Sequence, residues 1–302
     1  MRCWTPATNS RKAWVSDWRS LDPAALEREY NARATVSDID AELRAYREAS
    51  TPMYDALECQ RNLAYGPSPD ETLDLFPVPG HPEAPLLLFI HGGYWRALSK
   101  ADSVFMARQM VAQGVAVAAI DYSLAPAARL GTMVAQCRRA VAWLHAQRLA
   151  RHPKPGHIIV AGSSAGAHLA AMVLAPGWQG GLQVPTDVVH AGVLVSGLYD
   201  LAPLRQTLPQ TWLQLDAQDV QALSPQQHLP DPYRPVHVVV AEHDTAEFKR
   251  QSHDYAQACA LRGNPVEFVQ VAGRNHFDII LDWMRADTVL TRCVLALAQP
   301  GD

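Results

Sequence analysis

The chain of 302 residues has no CxxC pair, and its five cysteines, Cys3, Cys59, Cys137, Cys259 and Cys293, are odd in number and far apart. Such spacing predicts neither a disulfide framework nor a zinc site, and free thiols fit a reducing compartment. HxH and HExxH spacings are missing as well, so no metal is expected. There is no basic stripe: 26 Lys and Arg are scattered against 30 acidic residues, and the formal charge is −4, which argues against nucleic acid as a partner. No segment reaches the roughly 20 apolar residues that span a bilayer. The N-terminal MRCWTPATNSRKAW lacks the apolar run of a secretory signal. The expectation is a cytoplasmic protein with no membrane partner, and no internal repeat is found.

With 48% apolar and 19% charged residues, the composition is that of an ordinary globular protein, long enough for one large α/β domain. From Asp22 to about Leu57 the apolar residues Leu26, Tyr30, Ala34, Leu43 and Tyr46 recur at helical intervals. Residues 1–72 are therefore read as a helical N-terminal extension packed on a core formed by 73–302. Beyond the turn-rich Tyr65–Pro69, short apolar runs alternate with helical patterns, the signature of a mostly parallel sheet with helices on both faces. The strands predicted are Leu86–Ile90, Val115–Ile120, His157–Ala161, Val193–Ser196, Val236–Ala241 and Val266–Val271. Helices are predicted at Ala101–Gln113, Met133–Leu149, Ala165–Ala175, Ala246–Arg262 and from about Phe277. The Pro-, Gln- and aromatic-rich stretch 176–235 breaks this rhythm and reads as a lid-like excursion.

HIIVAGSSAGAHLA places Gly162-x-Ser164-x-Gly166 between a strand and an Ala-rich helix. A serine on so tight a turn needs small neighbours, and the turn lifts its hydroxyl clear of the sheet. Ser164 is the expected nucleophile; Ser163 lacks the flanking pattern, and a helix N-cap is the structural alternative for either. After the strand LLLFI comes His91-Gly92-Gly93-Tyr94-Trp95, whose glycines free the backbone to aim amides at a ligand. Gly93 and Tyr94, with Gly92 in reserve, are expected to join the Ala165 amide in an oxyanion hole.

Activating a serine takes an imidazole, oriented in turn by a carboxylate. VHVVVAEHD sets Asp244 directly after a strand, with Glu242, Glu247 and Asp200 as rival acids, and GRNHFD sets His276 after the last strand. His243, beside Asp244, should point elsewhere. Tyr94, Trp95, Tyr199, Trp212 and Phe277 are candidates for stacking an aryl group, although large apolar residues usually serve the core.

Taken together, HGGYW, DYSLAP, GSSAGAHLA, SGLYDL, AEHDTAEFKRQS and NHFDI resemble the kynurenine formamidase (arylformamidase) group of α/β-hydrolases, related to hormone-sensitive-lipase-like esterases. The resemblance runs from about Leu73 to the C-terminus, and YNARATVSD is similar to N-terminal segments of bacterial members. It implies an α/β-hydrolase fold, a triad at Ser164, Asp244 and His276, and an oxyanion loop at His91 to Trp95. It also implies a serine hydrolase that removes a small acyl group, formyl foremost, from an aryl amide or ester such as N-formylkynurenine. A general carboxylesterase, or a non-catalytic ligand-binding protein on this scaffold, is the alternative. No cofactor is expected, a small-molecule ester or amide is the expected partner, and pairing of protomers is left open.

Overall fold

The computed structural model describes residues 17–299; Cys3 and the first part of the N-terminal extension lie outside them. Eight strands form one sheet: β1 (Gln60–Ala64), β2 (Thr72–Phe76), β3 (Leu86–Ile90), β4 (Ala116–Ile120), β5 (Ile158–Ser163), β6 (Ala191–Val195), β7 (Val236–Ala241) and β8 (Val266–Val271). Their spatial order is β1-β2-β4-β3-β5-β6-β7-β8. Every pair from β4 to β8 is parallel, while β1 and β2 run antiparallel at one edge. All five residues of β3, β4 and β6 are buried. Helices cover both faces of a parallel sheet, so its inner strands must be apolar throughout. The edge strand β8, VEFVQV, carries exposed residues instead.

The helices are α1 (Pro23–Glu29), α2 (Ile39–Ser50), α3 (Met53–Ala56), α4 (Ala107–Ala112), α5 (Leu130–Arg151), α6 (Ala165–Leu174), α7 (Gln210–Leu213), α8 (Ala217–Leu223), α9 (Ala246–Leu261) and α10 (Val289–Ala298). Two apolar clusters form the core. One, with α5, α6 and α9, contains Val236 and Val238; the other, with α4 and α10, contains Val239 and Ala241. That division follows the alternation of side chains along β7.

Four sequence expectations need correction. The segment before residue 72 is not helical throughout, because β1 lies within it. β1 and β2 escape detection because QRNLA and TLDLF are too polar to look like strands. Buried Asp74 is tolerated in β2 because Tyr54 Oη and the Asn62 amide donate to it, each at 2.7 Å, and Lys100 Nζ lies 3.1 Å away. The stretch 176–235 is not a single excursion, since β6 threads it through the middle of the sheet. The part after β6 carries α7 and α8 and runs as one connection to β7. The helix predicted over Ala101–Gln113 shrinks to α4, preceded by a 3₁₀ turn over Lys100–Asp102. Another 3₁₀ turn, Asp278–Met284, stands where a helix was expected from Phe277.

The attachments that fasten the N-terminal helices to the rest of the molecule include two anchors. Tyr30 Oη donates to Glu247 Oε2 at 2.8 Å, and Thr245 Oγ1 donates to the Glu29 carbonyl at 2.6 Å, so the end of α1 is tied to the start of α9. Tyr46 Oη, on α2, donates to the Phe277 carbonyl at 2.7 Å. Both anchors sit next to loops that carry sequence-predicted site residues.

Candidate active site

The chain leaves β5 through Ser164, whose φ of 57° lies in the left-handed region, and enters α6 at once. A non-glycine residue held there signals a constraint worth explaining. The constraint is the packing of the turn onto the end of β3: a methyl group at Gly166 would strike the Ile90 and His91 carbonyls. Ser164 donates its amide to the Val195 carbonyl at 2.8 Å but makes no side-chain capping bond. The N-cap reading therefore loses its support, and the hydroxyl faces a cavity of about 310 Å³.

Asp244 and His276 meet beside that cavity. His276 Nδ1 and Asp244 Oδ1 are 2.6 Å apart, and both side chains are almost fully buried. The other carboxylate oxygen, Oδ2, accepts from Ser196 Oγ at 2.6 Å and from the Ala241 amide at 2.8 Å. With Nδ1 taken up by Asp244, His276 offers Nε2 to the cavity it lines together with Ser164. Phe248 and Phe277 pack edge-on against the ring, 4.7 and 5.2 Å between centroids, and limit its rotation. Among the described residues no hydrogen bond joins Ser164 Oγ to the ring; such bonds commonly tighten when a substrate is seated.

The rival acids are occupied elsewhere. Asp200 accepts from the Ala202 amide at 2.9 Å, Glu242 accepts from the Gly273 amide at 2.7 Å, and Glu247 pairs with Arg250 at 2.7 Å. His243 is exposed, outside the site.

The loop after β3 turns through positive φ at Gly93 (91°), Tyr94 (53°) and Trp95 (58°). A side chain at Gly93 would run into the Ala97 carbonyl, so that position requires glycine. Among the described residues no acceptor takes the amides of Gly92, Gly93 or Tyr94. Ala165 opens α6, where an amide has no intrahelical partner. The loop is held from behind. Tyr122 stacks on His91 at 4.4 Å and donates to its carbonyl at 2.9 Å, while burial pushes the His91 imidazole down to about 4 and keeps it neutral. Tyr94 Oη donates to the Tyr30 carbonyl at 2.5 Å, and Trp212 Nε1 donates to the Tyr94 carbonyl at 3.1 Å.

Of the five aromatic candidates, Tyr94, Trp212 and Phe277 line the cavity. Trp95 and Tyr199 do not, which corrects the expectation for both. Trp95 is fully buried against His168, 5.1 Å between centroids, and Tyr199 is stacked on Tyr255 at 4.3 Å inside the core. Sequence reasoning missed the wall supplied by the N-terminal segment, where Glu27, Tyr30, Arg33 and Tyr46 face the cavity together with Arg96. It also missed Ser196, for which the only signal was its place at the end of a strand.

A family model described as alpha/beta hydrolase fold matches residues 87–279. Among characterised proteins, a kynurenine formamidase of Danio rerio is 32% identical, covering 94% of this chain and 99% of its own length. One from Drosophila melanogaster is 31% identical over 70% and 72%. A solved structure from Silicibacter sp. tm1040 superposes with a TM-score of 0.76 at 26% identity, covering 90% of this chain and 98% of that one. An esterase of Pyrobaculum calidifontis shares the fold with a TM-score of 0.67 at 19% identity, covering 92% and 98%. Among the described residues no helix is long and apolar enough to cross a membrane. The chain is a hydrolase of the alpha/beta hydrolase fold family, and within that family it belongs with the kynurenine formamidases.

Proposed function

We propose that this enzyme deformylates an aryl formamide of the N-formylkynurenine type through Ser164, His276 and Asp244. The observation that carries the reading is the 2.6 Å Asp244–His276 pair, which borders the same cavity as a serine on a left-handed turn. His276 Nε2 takes the Ser164 proton as Oγ attacks the formyl carbon. The amides of Ala165, Gly93 and Tyr94, with Gly92 beside them, receive the oxyanion. The imidazolium then returns the proton to the departing aryl nitrogen, leaving a formyl ester on Ser164. A water deprotonated by His276 attacks that ester, releases formate and restores the serine.

Two features favour a small acyl group on an aryl leaving group. Tyr94, Trp212 and Phe277 offer aromatic surface close to Ser164, and the relatives matched over nearly their full length are formamidases. The test is a comparison of kcat/KM for N-formylkynurenine with that for a short p-nitrophenyl ester. Deformylation should be the faster reaction. Brisk ester cleavage with negligible deformylation would make the protein a general carboxylesterase.

A further inference from the structure

A second group of chemically able side chains gathers away from the cavity. In the parallel pairing of β7 and β8, His237 lies opposite Glu267, so the two side chains leave the same face of the sheet side by side. Cys293 comes from α10, which packs on that face with Val239 and Ala241, the residues that alternate in step with His237. One donor atom from each of His237, Glu267 and Cys293 lies within 4.8 Å of the others. Ligands around tetrahedral zinc stand roughly 3.5 Å from one another, given bonds of about 2.0 to 2.3 Å. Small side-chain rotations therefore suffice to close the set.

An independent observation points into this cluster. His237 Nδ1 is buried and makes no hydrogen bond, although Glu267 Oε2 stands 3.4 Å away, and the side chain as a whole is only 12% exposed. Buried polar atoms without a partner are uncommon and costly. A cation placed between nitrogen, carboxylate and sulfur would satisfy it. We propose that His237 Nδ1, a Glu267 carboxylate oxygen and Cys293 Sγ bind one divalent cation of the zinc class, with water as fourth ligand.

The donor set decides the class. Thiolate with imidazole favours zinc-like ions over magnesium or calcium, which demand oxygen shells. Burial lowers the His237 pKa, so its ring is in the neutral form that binds metal. Burial also raises the Cys293 thiol to about 12, so the cation must displace the thiol proton to solvent, with no change of oxidation state. Glu267, half exposed on the edge strand, gives the ion a way in and leaves room for the water. His237 is the second residue of β7 and Asp244 follows its far end, roughly 13 Å or more away at about 3.3 Å per residue. The ion would tie β7, β8 and α10 together and take no part in hydrolysis.

The experiment uses the full-length protein, stripped with a chelator and titrated with Co²⁺ and then Zn²⁺. One equivalent should bind with a near-ultraviolet thiolate-to-cobalt band, release one proton and raise the unfolding temperature. Cys293→Ser should abolish the band. Glu267→Gln, at an exposed position, should weaken binding at least tenfold while hydrolysis by the metal-free enzyme is unchanged. Absence of the band in the unmodified protein, or full affinity in either variant, would overturn the proposal. Should Cys293→Ser fail to fold, the Glu267→Gln affinity decides alone.

Discussion

The Tyr46 hydroxyl, on the second N-terminal helix, donates to the carbonyl of Phe277, the residue directly after His276 and 231 positions away in the chain. Together with the bond that Asn275 Nδ2 donates to Glu42 Oε1 at 2.9 Å, it ties α2 to the loop that presents the imidazole. Tyr46→Phe keeps the ring in place and removes only the donor to a half-buried carbonyl, at a cost of about 0.5 to 1.5 kcal/mol. The expected result is a several-fold drop in kcat with a folded protein, read by steady-state kinetics beside a circular dichroism melt. Unchanged kcat would show that the loop keeps its position without this bond.

Ser164→Ala should leave the fold intact and reduce turnover by at least about a thousandfold, as loss of a triad nucleophile does. Ser163→Ala should cost far less, although Ser163 also borders the cavity. A fluorophosphonate probe followed by peptide mass spectrometry gives the check. Labelling at Ser163, or at neither serine, would remove Ser164 from its proposed role.

Ser196 Oγ holds Asp244 Oδ2 at 2.6 Å, and among the described residues the Ala241 amide supplies the only other bond to that oxygen. A hydrogen bond to a charged group is worth about 1.5 to 3 kcal/mol. Ser196→Ala should therefore lower kcat/KM roughly tenfold to a hundredfold while leaving KM close to its starting value. A purely structural role would instead lower the melting temperature with no change in turnover per folded molecule.

Burial pushes the His91 and His168 imidazoles down to about 4, whereas an unfolded histidine titrates near 6.5. Between those values the unfolded chain holds protons that the native chain does not. Native stability is then complete above about pH 6.5 and lost as the pH falls toward 4, by up to ~1.4 kcal/mol per pH unit and ring. His168→Gln retains a donor for the Leu223 carbonyl, which His168 Nε2 reaches at 2.7 Å. Urea unfolding at pH 7.5 and pH 5 should show a smaller acid loss in this variant. Equal losses in the two proteins would contradict the assignment.

Much of this architecture was legible in the residues. LLLFI and VHVVVA must be inner strands because only a sheet covered on both faces can bury such runs, and Ser164, Asp244 and His276 each follow one of those strands or its neighbours. β1 and β2 were hidden because Asp74 is made tolerable by Tyr54, Asn62 and Lys100, partners that no local pattern reveals. Composition likewise says nothing about which way an aromatic ring points. Tyr94 and Trp95 are neighbours, yet the first faces the cavity and the second the core. The wall built from Glu27, Tyr30, Arg33 and Tyr46 depends on how an amphipathic segment docks, and periodicity reports the buried stripe without naming what it rests on.

The anchors that join Tyr30 to Glu247 and Tyr46 to Phe277 bind segments 217 and 231 positions apart in the chain. During synthesis these helices emerge long before the segments they must grip, so their apolar stripes wait in water or in a chaperone's hold until those later segments have been made. A ribosome that stops short of Phe277 would release a chain with most of its sheet formed and one side of its cleft unsecured, a species better suited to aggregation or proteolysis than to partial activity.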